Sequence, residues 1–286
     1  MTKSGWQSEM KRVASVPARI NIIGEHTDHF GGLSLAFSSQ HRLVMTATSR
    51  DEGIRGEETI VRLWKAAGGW NANLSVESNI PIGAGLSSSA ALCVAIAMCS
   101  LGPRNKMEIA TQAQRIEHEI LKTKCGLLDQ IAITHSQSGS ASLIDFKKME
   151  VKNFPIPDDW IFKLVDTGIR RSLRKTEYNV PNATEETRKK HCQNESLRVS
   201  EALSCDATQL GKLLNLSHSS ISEKIRTSTP EVDLIVKKVQ HMPGVLGARL
   251  MGGGFGGMIL ALLNDERALP GETLASSDSA FLQEAL

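Results

Sequence analysis

Residues 81–91 read Pro-Ile-Gly-Ala-Gly-Leu-Ser-Ser-Ser-Ala-Ala and lead directly into an apolar segment of helical length, Leu86 to Leu101. The glycines let the backbone turn tightly, and the first N–H groups of a helix have no partner within the helix. Those donors lie at the positive end of the helix dipole and can hold a phosphate group. An ordinary capped helix is the alternative, but a cap needs fewer small residues. The stretch therefore predicts a phosphate-binding loop that leads into a buried helix.

Composition and charge exclude several classes of partner. The chain has 33 Lys and Arg against 31 Asp and Glu, so no overall charge draws it to nucleic acid or to a membrane. Five cysteines without a CxxC pair fit reduced thiols rather than disulfides or structural zinc. The N-terminus does not resemble a signal peptide, and the longest apolar run, around Ala90 to Met98, is too short for a bilayer. We expect a monomeric, cytoplasmic protein that binds small molecules.

The alternation of strand and helix patterns along the chain predicts an α+β fold. Helical periodicity is present at Lys106 to Lys124 and Leu127 to Thr134, and helices are expected to dominate from Thr167 to Gly244. The tail after Asn264 is expected to be peripheral. Strands are predicted at Arg42 to Ser49, Thr59 to Leu63, Ala72 to Val76, Ala141 to Asp145, Ile161 to Asp166, Val245 to Met251 and Met258 to Leu263.

Six residues between the last two predicted strands, Gly252 to Gly257, include five glycines. Their spacing matches the GxGxxG pattern of dinucleotide-binding folds, which requires a helix after the glycines. Here the following run, Met258 to Leu263, has the length of a strand. We therefore predict a glycine-rich turn between two strands, where backbone can approach a ligand or another loop closely.

A second polar cluster lies at residues 17–32, which read Pro-Ala-Arg-Ile-Asn-Ile-Ile-Gly-Glu-His-Thr-Asp-His-Phe-Gly-Gly. Its carboxylates can accept from sugar hydroxyls, its histidines can donate, and its paired glycines let backbone close on a ring. A polyhydroxylated ligand is one interpretation. A solvated turn after a strand is another, and a metal site is a third, although Glu25, His26 and Asp28 lack a regular ligand spacing.

Taken together, these motifs resemble the galactokinases of the GHMP kinase superfamily. The first motif is Pro17 to Gly32, whose Gly-Glu-His-Thr-Asp core is specific to galactokinases, the second is Pro81 to Ala91, and the third runs from Gly247 to Gly257. The segment Cys125-Gly126-Leu127-Leu128-Asp129-Gln130 is also similar. The resemblance implies a two-lobed fold with the active site in the cleft, an N-terminal lobe over residues 1–160 and a C-terminal lobe over residues 161–286.

The resemblance also implies roles for individual residues. Asp129 would take the proton from the anomeric hydroxyl of galactose, and Arg19 would stabilise the charge that develops as the γ-phosphoryl group of ATP moves. Sugar contacts fall to Glu25, His26, Thr27, Asp28, Gly32 and Tyr178. ATP phosphates would be held by Gly83, Ala84, Gly85, Leu86, Ser87, Ser88 and Ser89, and Mg²⁺ by Ser89 and Glu117. Trp64 is a candidate for stacking on adenine.

Two other functions remain open at the level of sequence. The first is a sugar and ATP sensor without turnover, although the intact Arg19, Asp129 and serine loop disfavour it. The second is a kinase for another acceptor, such as an amino sugar, arabinose or a uronic acid. That alternative rests on His29 and Phe30, which stand where galactokinases commonly have Tyr-Asn.

Overall fold

A computed structural model describes residues 10–81, 85–170 and 183–285. Its larger sheet is built on a long antiparallel hairpin of β1 (Lys11–Ile23) and β2 (Leu33–Ser49). The strands β3 (Ala72–Ser78) and β4 (Ser140–Asp145) pair with different parts of β2, and β5 (Glu150–Pro155) pairs with β4. All of these pairings are antiparallel. Strands β3 and β4 therefore flank the hairpin, and β5 extends the sheet beyond β4.

Helices from the first half of the chain pack on this sheet. They are α1 (Glu58–Ala66), α2 (Ser88–Leu101), α3 (Lys106–Ile116) with a π-helical turn at Glu117–Leu121, and α4 (Leu128–His135). The α2 helix packs against β1 and β2 on one side and against α3 and α4 on the other. This arrangement explains why its sequence is apolar nearly all round.

The second sheet is smaller, with the antiparallel order β6 (Ile161–Asp166), β8 (Met258–Leu263), β7 (Val245–Leu250). Helix α5 (Glu185–Ala202) packs on β1 and β2 of the first sheet and on the following helix, α6 (Ala207–Ser220). Helix α6, with a π-helical turn at Ile221–Ile225, and α7 (Pro230–Gln240) pack on the second sheet. Residues 252–257 connect β7 to β8 without a helix. The prediction of a glycine-rich turn, in place of a dinucleotide site, is confirmed.

The segment Thr59 to Leu63, predicted as a strand, lies in helix α1. Glu57 caps this helix, since its carboxylate accepts from the N–H groups of Thr59 and Ile60. Ile60, Leu63 and Trp64 are buried at the i, i+3, i+4 spacing of one helix face. The β-branched residues suggested a strand, but the N-terminal cap and the helical spacing of the buried residues stabilise a helix.

The chain's last segment is largely exposed, as expected of a peripheral tail, but it also forms a strand that the sequence did not predict. Its strand β9 (Phe281–Ala285) pairs with β1, from Ser15 opposite Phe281 to Lys11 opposite Ala285. Arg42 on β2 donates to the carbonyl oxygens of Asp278 and Ser279. The tail therefore completes the edge of the first sheet, although the division into lobes places it with the second.

Candidate active site

A cavity lies where the first sheet and its helices meet the turn between β7 and β8. It is lined by the end of β1 and the following loop, by the segment before α4, and by the glycine-rich turn. The lining residues are Arg19, Glu25, His26, Asp28, His29, Cys125, Gly126, Leu128, Asp129, Gly252 and Gly253. The fold thus brings together polar residues from three distant stretches of sequence.

Arg19 and Asp129, the two residues that the resemblance makes catalytic, form an ion pair at this cavity. Arg19 Nε donates to Asp129 Oδ1 at 2.8 Å, and Nη2 donates to the same oxygen. The Arg19 side chain is only 4% exposed and that of Asp129 is 25% exposed. Arg19 Nη1 also donates to the carbonyl oxygen of Gly85 at 3.2 Å. One guanidinium therefore joins the carboxylate to the loop before α2.

Within its described residues, the loop before α2 does not cap this helix with a side chain. Ser87, with φ +60°, precedes the helix, and its side chain makes no capping hydrogen bond. Its hydroxyl is buried and has no partner among the described residues. The sequence alternative, an ordinary capped helix, is therefore disfavoured. Of the other predicted loop residues, Leu86 places its side chain in the core. Gly83 and Ala84 lie outside the described residues.

Close behind this loop, Ser89 and Glu117 are in contact. Ser89 Oγ donates to Glu117 Oε1 at 2.7 Å, and Gln130 Nε2 donates to Oε2 at 2.8 Å. Glu117 is 2% exposed, and burial raises the pKa of its carboxyl to about 7, opposed by the hydrogen bonds from Ser89 and Gln130. The two predicted metal ligands thus lie side by side, one in the first turn of α2 and the other directly after α3.

Glu25 is held at the cavity by two hydrogen bonds to one of its oxygens. Its Oε1 accepts from Arg249 Nη2 at 2.9 Å and from Gly252 N at 2.7 Å. Burial acts to raise the pKa of Glu25, but the charges of Arg249 and Arg19 contribute to lowering it overall. Gly252 has φ +81°, and a Cβ there would lie 3.1 Å from Gly85 O, so this turn packs on the loop before α2.

Two further predicted sugar ligands, His26 and Asp28, also line the cavity. Burial lowers the pKa of His26 to about 4, so its imidazole is neutral near pH 7. Asp28 Oδ2 accepts from Leu128 N at 3.4 Å, and burial raises the pKa of this carboxyl. A Cβ at Gly126 would lie 1.8 Å from Asp28 Oδ2, so a larger residue there would displace this carboxylate.

Thr27 and Gly32 do not face the cavity, which corrects their predicted role as sugar contacts. The Thr27 hydroxyl is buried and bonds to Gly24 O at 3.0 Å and to Ser34 Oγ at 2.9 Å. A Cβ on Gly32 would meet Cys192 Sγ at 2.5 Å. Both residues therefore shape the loop after β1 from behind. Tyr178, the remaining predicted contact, lies outside the described residues.

Helix α5 supports this loop, a role that the sequence did not reveal. His191 Nε2 lies 3.0 Å from Glu25 O, and the buried Glu195 accepts from Gly24 N at 3.2 Å. Ser196 Oγ accepts from Leu33 N at 3.0 Å. These pairs are more than 160 residues apart, so no local pattern could have indicated them.

Trp64 is not available for stacking on adenine. Its side chain is fully buried in the core, its Nε1 donates to Trp70 O at 2.8 Å, and its ring packs edge-on against that of Trp70. The predicted stacking on adenine is wrong because Trp64 lies on the buried face of α1.

Among the described helices, none is long and apolar enough to cross a membrane.

Comparison with protein families gives three matches. The model of the GHMP kinases N terminal domain matches residues 57–137, and that of GHMP kinases C terminal matches residues 199–270. The galactokinase galactose-binding signature matches residues 4–49. The chain is 29% identical to galactokinase of Haemophilus influenzae, strain PittGG, over 86% of its own length and 83% of the relative. It is also 29% identical to galactokinase of Thermotoga petrophila, over 86% and 87% respectively.

Solved structures agree with this fold. The galactokinase of Lactococcus lactis, solved in complex with galactose, superposes with a TM-score of 0.80 at 21% identity and covers 95% of each chain. The mevalonate kinase of L. major, in complex with R-mevalonate, superposes with a TM-score of 0.67 at 19% identity, covering 89% of this chain and 87% of that one. The two-sheet architecture is thus that of these kinases.

Proposed function

Because this chain belongs to the GHMP kinase superfamily and carries its galactokinase signature, we propose that it transfers the γ-phosphoryl group of ATP to the C1 hydroxyl of galactose. The products are galactose 1-phosphate and ADP. The observation that carries the proposal is the Arg19 guanidinium, which bonds to Asp129 on one side and to the loop before α2 on the other. The positively charged Arg19 side chain therefore lies between the proposed base for the sugar hydroxyl and the proposed phosphate-binding loop.

Asp129 acts as the base in this reaction. In the part of the chain that the structure describes, its hydrogen bonds from Arg19 go to Oδ1, so Oδ2 is available to a sugar hydroxyl. Phosphoryl transfer depends mainly on positioning and on stabilisation of charge. A carboxylate that orients the attacking hydroxyl and receives its proton meets the first need, and Arg19 meets the second.

The sugar lies against the loop after β1. Glu25 and Asp28 accept from its hydroxyls, and His26, neutral near pH 7, donates or accepts according to its tautomer. The position of Gly126 against Asp28 supports this assignment, because it leaves backbone rather than a side chain at that wall of the cavity. Tyr178 remains a further candidate contact.

The residues at the start of α2 fit nucleotide phosphates and a magnesium ion. Ser89 and Glu117 offer oxygen ligands 2.7 Å apart, which is the hard donor set that Mg²⁺ prefers. When bound, magnesium would neutralise part of the charge on the phosphate oxygens. Gly85, Ser87 and Ser88 would supply backbone N–H donors. That the protein acts as a monomer in the cytoplasm stays a prediction.

The test is ADP release from ATP with a panel of sugars, with the phosphorylated position assigned by ³¹P NMR. We expect the highest kcat/KM for galactose and phosphate at C1. Binding of galactose and ATP without ADP release would identify a sensor. A higher kcat/KM for an amino sugar, arabinose or a uronic acid would replace galactose as the acceptor.

A further inference from the structure

Arg249 on β7 is fully buried and bridges the two sheets. Its Nε donates to Ile22 O at 2.8 Å, and its Nη2 donates to Asn21 O and to Glu25 Oε1, both at 2.9 Å. Its Nη1 donates to Leu250 O at 3.2 Å. The planar guanidinium thus fastens the end of β1 and the Glu25 carboxylate to one strand of the second sheet.

These contacts divide the two oxygens of Glu25 between structure and ligand. Oε1 accepts from Arg249 and also from Gly252 N, so its acceptor sites are occupied by the second sheet and its turn. Among the described residues, no hydrogen bond reaches Oε2. Since Glu25 lines the cavity, Oε2 is the oxygen left for a ligand.

The charges around Glu25 keep its carboxylate ionised and able to accept hydrogen bonds. The carboxyl is only 3% exposed, and a buried carboxylate without a cation tends to take up a proton. The groups that face it are Arg249 from β7, Arg19 from β1, His26 and Asp28 from its own loop, and His191 from α5. Arg249 is the cation in direct contact with the carboxylate, so it does most to keep an acceptor there.

We propose that Arg249 is a positioning residue for the sugar, which fixes Glu25 so that only Oε2 is left to accept from the sugar. The inference rests on the proposed function and refines it, because it assigns the sugar contact of Glu25 to one of its two oxygens. Arg249 itself does not line the cavity. Its effect must therefore pass through Glu25, and that dependence can be measured.

The experiment compares Arg249→Met and Arg249→Lys with wild type in steady-state kinetics at about pH 8 and about pH 6. Arg249→Met is expected to raise the galactose KM about tenfold or more and to leave the ATP KM within about twofold. Its galactose KM rises further as the pH falls, because Glu25 without Arg249 takes up a proton at a higher pH. Arg249→Lys keeps the charge, so its KM rises less and stays flat with pH. Arg42→Met, which removes a different partly buried guanidinium, should leave the galactose KM unchanged.

A double-mutant cycle separates positioning from general destabilisation. In Glu25→Gln the carboxylate is absent, so adding Arg249→Met should change the galactose KM by less than about twofold. This neutral pair also avoids an unpaired buried charge, so it remains measurable if Arg249→Met alone does not fold. An additive rise in the cycle, or a folded Arg249→Met with wild-type KM, overturns the proposal. Failure of the proposed function has a different signature, since wild type would then show no galactose-dependent turnover.

Discussion

The sharpest test of the mechanism is Asp129→Asn. The amide keeps the size of the side chain and one oxygen that can accept from Arg19, but it removes the charge and the proton acceptor. Arg19, 4% exposed, then loses a charged partner, which costs about 1–3 kcal/mol of folding free energy. Loss of a general base lowers kcat about 10²- to 10⁴-fold, equivalent to about 3–5 kcal/mol.

The assay measures ADP release at saturating galactose together with an equilibrium titration of ATP. We expect kcat to fall by the factor above and ATP affinity to stay nearly unchanged, because Arg19 still bonds to Gly85. Asp265→Asn is a matched control, since Asp265 pairs with Arg267 at the surface at 3.0 Å and does not line the cavity. A folded Asp129→Asn that keeps kcat within about tenfold of wild type would refute the assignment of the base.

Four further outcomes follow. Ser89→Ala removes one oxygen of the proposed magnesium site, so the magnesium concentration for half-maximal activity should rise, and a titration with MgCl₂ checks this. Gly126→Ala places a Cβ against Asp28, so the galactose KM should rise while the ATP KM stays constant. Arg42→Ala should lower the free energy of unfolding by about 1–3 kcal/mol in urea denaturation without changing kcat, because it releases the C-terminal tail. The pKa of His26 is about 4 in the folded protein against 6.5 in the unfolded chain, so the unfolded chain binds more protons between these values. The free energy of unfolding should therefore fall as the pH falls from 6.5 to about 4, and in His26→Gln this fall should be smaller in urea denaturation.

The elements that sequence predicted best are those with strong local signals. The apolar α2 after a glycine and serine loop and the strand length of Met258–Leu263 each follow from neighbouring residues alone. Thr59 to Leu63 failed because a β-branched run was weighed above helical spacing. Strand β9 in the tail was missed because it depends on the open edge of β1, which lies far away in sequence.

The site itself was only partly accessible from sequence. The pairing of Arg19 with Asp129 spans 110 positions and came from family resemblance rather than from any local pattern. Thr27 has the same polar character as its neighbours, yet strand and loop geometry turn it towards Ser34. Arg249 stood within a recognised motif, but its contact with Glu25 exists only once both sheets are assembled.

Three of the four carboxylates at or near the cavity, Asp129, Glu25 and Glu117, differ in the cation that each one contacts, and this difference bears on their roles. Asp129 bonds to Arg19, and Glu25 bonds to Arg249, so each has a positive side chain within the protein. Glu117 is as buried as Glu25, yet the described residues that bond to it, Ser89 and Gln130, are neutral. A buried carboxylate without a cation is costly unless it is protonated or a cation is supplied. Within the described part of the chain, Glu117 has no cation in direct contact, and burial raises its pKa to about 7, so a bound metal ion would stabilise its ionised form, which is the role proposed for it.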